Sequence, residues 1–171
     1  MRNRRSRWLT AACLGLVLFT LACRPRQTGP STTVIVVRHA EKTDSGDDPQ
    51  LSPEGEQRAL RLRDMTLDAG VSALFATRYR RTQETLEPLA AILDIEVEII
   101  DAPDFEGLSS RILSEHRGST VVVAGHSNTV PAIVSALGAE EPDPIDESQY
   151  DNLYIVTVPA SGESEVLRLH F

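Results

Sequence analysis

Two histidines and a cluster of arginines stand where apolar runs of this chain stop. Thr33–Val37 is unbroken apolar or β-branched sequence and ends at Arg38-His39. Val71–Ala76 ends at Thr77-Arg78-Tyr79-Arg80-Arg81, and Thr120–Ala124 ends at Gly125-His126. Charged and imidazole groups are out of place in a core but well placed at the carboxyl ends of buried strands, where open α/β sheets bind ligands. Arginine's planar fork matches phosphate oxygens with paired, charge-assisted hydrogen bonds. Imidazole, with an ordinary pKa of about 6.5, is largely unprotonated at neutral pH and can attack phosphorus. The combination specifies an anion site, with phosphate as the natural occupant. Metal chemistry has no support in the motifs: there is no HExxH and no His/Cys cluster. A serine elbow and a Gly-rich phosphate loop are also missing.

The elements that must carry these residues follow from periodicity and punctuation. After the first strand, Glu41–Gln50 is acidic, contains glycine and reads as a loop. Ser52-Pro53 opens a helix with Glu54 and Glu56 favourable to its dipole, and Gly70 closes it. A second strand covers Val71–Ala76. The next helix carries Leu86, Leu89, Ala90 and Leu93 on one face and Pro88 inside it, which predicts a kink. Ile95–Ile100 is a third strand, Glu106–His116 a helix, and Thr120–Ala124 a fourth strand. A helix begins near Thr129, with Ser127 or Asn128 opening it, and ends at Gly138. Glu140–Asp151, with six acids and two prolines, is a solvated connection able to fold over a pocket mouth. Leu153–Val158 and Val166–Leu169 are late strands. Strands alternating with helices predict an α/β fold of three layers, a mainly parallel sheet with helices on both faces.

The motifs resemble those of the histidine phosphatase (phosphoglycerate mutase-like) superfamily. Arg38-His39-Ala40 stands for the family's Arg-His-Gly. Leu51-Ser52, Gly55 and Arg58-Ala59 resemble its leucine-threonine, glycine and glutamine-alanine element. Arg81 with Thr85 resembles the second arginine and its threonine, and Gly125-His126 the second histidine. The resemblance covers about Val34–Val134. It implies a small, metal-independent phosphatase without cofactors, in which His39 is the nucleophile and forms a phosphohistidine. Arg38, Arg81 and His126 would hold the phosphate oxygens through transfer. A carboxyl after the third strand would protonate the leaving group, and Asp101 is best placed for it, with Asp104 and Glu106 behind. The substrate implied is a small phosphomonoester.

Composition agrees with a soluble globular body: 41% of residues are apolar and 25% charged. The first 23 residues hold four of the 17 basic residues and none of the 25 acidic ones, so the remainder is more acidic than the formal −8 of the whole. Such a body is a poor partner for nucleic acid. Arg2, Arg4, Arg5 and Arg7 precede the apolar run Trp8–Ala22, whose 15 residues suit an export signal better than a spanning helix. Thr20-Leu21-Ala22-Cys23 resembles a bacterial lipobox with Thr20 in place of leucine, which would make Cys23 a lipidated N-terminus and the membrane a partner. Ordinary cleavage near Ala22 is the alternative, and both export the protein. Residues 24–31 then form a tether, and 32–171 one domain. Both cysteines, Cys13 and Cys23, lie outside that domain.

Two rival functions fit parts of the pattern. A non-catalytic phosphate- or polyanion-binding module would keep the arginines without a proton donor. A phosphohistidine or phosphoprotein regulator would share the pocket, but export argues against it.

Overall fold

The computed structural model describes residues 29–171. The expected export signal, Cys23 and most of the expected tether lie outside the described residues.

Six strands form one sheet in the order β3-β2-β4-β1-β5-β6. They are β1 (Thr32–Arg38), β2 (Val71–Thr77), β3 (Val97–Ile100), β4 (Thr120–Gly125), β5 (Asn152–Val158) and β6 (Glu165–His170). The pairs β1–β4, β2–β4 and β2–β3 are parallel, while β1–β5 and β5–β6 are antiparallel. The expected mainly parallel sheet is thus a mixed one, parallel through β1 and antiparallel beyond it. A short loop of Pro159–Ser164 joins β5 to β6, and that length allows only an antiparallel hairpin.

Side chains alternating along β1 divide the core in two. Val34 and Val36 pack with Leu108 and Ile112 of α3 (Phe105–Glu115) and with Val130, Ile133 and Val134 of α4 (Val130–Ala136). Ile35 and Val37 pack with Leu62 of α1 (Pro53–Thr66) and with Leu86 and Leu89 of α2 (Arg80–Leu93). Helices therefore cover both faces, as expected. Each fully buried leucine contributes about 1.5–3 kcal/mol.

Local chemistry explains the helix limits. Ser52 caps α1 by accepting from Gly55 N at 3.2 Å, with Pro53 in the first turn. Gly55 is required by close approach: a Cβ there would stand 2.1 Å from the Glu41 carbonyl oxygen. The helix α2 runs through Pro88 without ending. The last helix begins near Thr129 as expected, but neither Ser127 nor Asn128 opens it. Thr129 is its N-cap and Val130 its first residue, so Ser127 and Asn128 belong to the preceding turn.

Candidate active site

Register brings the three strand ends together. Arg38 of β1 lies beside Gly125 of β4, and His39 N donates to Gly125 O at 2.9 Å. On the other side of β4, Ala76 of β2 pairs with Ala124, which sets Thr77 next to Gly125. Residues far apart in sequence thus reach one edge because parallel strands end together.

His39 is 3% exposed, and its Nδ1 lies 2.8 Å from the Ala40 carbonyl oxygen. A carbonyl only accepts, so Nδ1 carries the proton and Nε2 holds the free lone pair. Burial lowers the pKa of His39 to about 3, and Arg38, His126 and Arg81 add to the effect against the opposing Ala40 hydrogen bond. The loop itself is tied to α2: Ala40 N donates to Thr85 Oγ1 at 2.9 Å, and Thr85 Oγ1 donates to Arg81 O.

The His126 ring stands 5.4 Å from that of His39, centroid to centroid. Its Nε2 is 3.0 Å from Thr77 Oγ1, and its Nδ1 is 3.5 Å from Arg81 Nη2. The guanidinium can only donate, so Nδ1 is the acceptor and Nε2–H donates to Thr77. Thr77 Oγ1 donates in turn to Thr82 Oγ1 at 2.9 Å, and Thr82 donates to backbone carbonyls of Thr77 and Tyr79. Burial, then Arg81 and Arg38, lowers the pKa of His126 to about 4.

The arginines differ in their fixings. Arg38, 1% exposed, gives Nη1 to the carbonyls of Asp146, Glu147 and Gln149, each at 2.9 Å, and Nη2 to Glu147 Oε2 at 3.0 Å. The Tyr150 ring stacks on it at 4.2 Å and lies 5.9 Å from the His39 ring. Arg81 stacks on Tyr79 at 4.4 Å, with Asp48 Oδ1 3.8 Å from its Nη1. The Nε–H groups of both Arg38 and Arg81 are buried without a partner among the described residues.

Four of the expected residues, Arg38, His39, Arg81 and His126, thus meet. Asp101 does not join them. It is exposed just beyond β3, the edge strand, whose Ile100 pairs with Thr77 of β2. Its side chain makes no hydrogen bond or ion pair with the four. Arg78 and Arg80 are exposed, and Arg80 pairs with Glu84. The segment Asp146–Tyr150, expected as a solvated connection able to fold over a pocket mouth, is largely exposed and covers Arg38. Sequence reasoning missed Thr77, Glu147 and Tyr150 as neighbours of the group, and only the position of Thr77 at a strand end hinted at its place. Among the described residues, no three His, Cys, Asp or Glu side chains gather to hold a metal ion.

Comparison with known proteins agrees with this fold. Residues 34–104 match the family model described as histidine phosphatase superfamily (branch 1). That segment is less than half of the chain, and the fold around it is shared with histidine phosphatase structures. It resembles the protein histidine phosphatase SixA solved with tungstate, at 16% identity over 81% of this chain and 96% of that one, with a TM-score of 0.67. It also resembles Bacillus stearothermophilus YhfR, at 16% identity over 77% and 94% of the two chains, with a TM-score of 0.62. A third likeness is to phosphoserine phosphatase from Entamoeba histolytica in complex with 3-phosphoglyceric acid, at 15% identity over 77% and 96%, TM-score 0.55. Comparison with curated protein sequences gives no match.

Proposed function

We propose that this chain hydrolyses a small phosphomonoester through a phosphohistidine on His39, without a metal. The observation that carries the reading is the pairing of a neutral His39, its Nε2 lone pair free, with two buried guanidinium Nε–H groups that lack partners. An unsatisfied buried donor costs about 1–3 kcal/mol, and a phosphate oxygen is a fitting acceptor for it. Nε2 forms a bond to phosphorus as the ester P–O bond breaks, and the departing oxygen takes a proton from solvent, which the attacking water gives back in the next step. Water then attacks phosphorus, the N–P bond breaks and neutral His39 returns. Arg38 and Arg81 neutralise the equatorial oxygens in both steps. A bound dianion raises the pKa of His126, so that the ring can carry the second proton and donate to the phosphate.

The lack of any hydrogen bond or ion pair from the Asp101 side chain to this group favours one second reading, a phosphate-binding module without turnover. The two are told apart by incubating wild type and His39→Ala with a phosphomonoester panel in chelator. Turnover in the wild type with acid-labile phosphate trapped on the protein, both absent in His39→Ala, is the expected result. Equal turnover in the two proteins rejects the mechanism, and phosphate binding without turnover selects the binding module.

The reading extends to location: an exported domain held at a bacterial membrane through Cys23. Incorporation of labelled fatty acid that disappears in Cys23→Ser tests it.

A further inference from the structure

Glu147 lies in the connection between α4 and β5, and its side chain is 81% exposed. Exposed glutamates are usually free in solvent, but this one is held at both oxygens. Oε2 is 3.0 Å from Arg38 Nη2, and Oε1 accepts from Ser127 Oγ at 2.6 Å. The Ser127 hydrogen bond foremost, then Arg38, keeps the carboxyl below its ordinary pKa, so it is ionised at neutral pH. Lys42 is a further cation acting on it. The guanidinium that faces the reacting phosphate therefore already carries a fixed negative charge. Asp48 stands in a similar relation to the other arginine, 3.8 Å from Arg81 Nη1.

Two anions that share one guanidinium repel each other, and the repulsion grows with the charge on the incoming compound. We propose that Glu147 sets the charge class of the substrate. It discriminates against phosphate compounds that carry a second anionic group beside the phosphate, and admits those whose remainder is neutral or cationic. This inference rests on the phosphate-site reading above and deepens it. Ser127 acts as a positioning residue, holding the carboxylate against Arg38.

The test is calorimetric titration of wild type, Glu147→Gln and Ser127→Ala with inorganic phosphate, phosphoethanolamine and 3-phosphoglycerate, alongside turnover of the same esters. Removing the charge is expected to tighten 3-phosphoglycerate by about tenfold, the scale of a relieved like-charge contact. Phosphoethanolamine should gain less or lose affinity, and Ser127→Ala should move in the same direction by a smaller factor. Unchanged affinities, or an equal gain for all three compounds, overturn the proposal. A loss of kcat with unchanged binding also overturns it, assigning Glu147 to proton transfer instead. Absent turnover with intact binding counts against the phosphatase reading alone, and the affinity series still decides the role of Glu147. If none of the compounds binds any of the three proteins, both readings fail.

Discussion

Thr77 Oγ1 accepts a hydrogen bond from His126 Nε2 at 3.0 Å, and this contact decides which nitrogen of the second histidine faces Arg81. Replacing the hydroxyl with a methyl of similar size leaves a buried N–H unpaired. Thr77→Val is expected to cost about 1–3 kcal/mol of stability. It should also lower kcat, because the ring can turn over and release Arg81. Thr77→Ser restores both. Urea unfolding and steady-state kinetics of the three proteins check this, and a Thr77→Val enzyme as active and stable as wild type would refute the assignment.

Acid should destabilise the fold in a defined window. His39 is held at about 3 and His126 at about 4, chiefly by burial. In the unfolded chain both return to about 6.5. Between those values the unfolded state binds more protons, so the stability associated with neutral burial is complete above about 6.5. It is lost as pH falls toward the folded values, by up to about 1.4 kcal/mol per pH unit for each histidine. Urea midpoints measured from pH 7.5 to 4.5 should decline, and more gently in His126→Gln. A midpoint that does not move over this range contradicts the burial of neutral imidazoles.

The first turn of α1 should tolerate no side chain at Gly55. A methyl there meets the Glu41 carbonyl oxygen at 2.1 Å, an oxygen that already accepts from Ser52 N at 2.9 Å. Backbone must shift, and Gly55→Ala is expected to destabilise by about 1–3 kcal/mol or more. Because Glu41 is two residues from His39, turnover should fall as well. Thermal unfolding with a kinetic assay measures both, and an unchanged melting temperature would show that the loop yields freely.

Much of the scaffold was legible because local chemistry decides it. The β-branched runs at Thr33–Val37 and Thr120–Ala124 can be buried strands whatever surrounds them, and Ser52-Pro53 starts a helix by itself. The antiparallel turn of β5 and β6 was less legible, since a strand's side-chain pattern does not record the direction of its neighbour. Asp101 shows the same limit. Its place after the third strand was read correctly, but strand order puts that strand at the sheet's edge, away from β1.

The loop over Arg38 was illegible for a different reason. Its main grip on the guanidinium is through the carbonyl oxygens of Asp146, Glu147 and Gln149, and any residue supplies a carbonyl. An acidic, proline-containing stretch looks solvated until the fold bends it back. The sequence by itself determined the strand ends, the helix caps and the residue types able to meet a phosphate, because those depend on neighbours along the chain. Only the tertiary structure decided that Thr77 orients His126 and that Glu147 sits on Arg38. Such contacts depend on strand order and loop path, which no local pattern encodes.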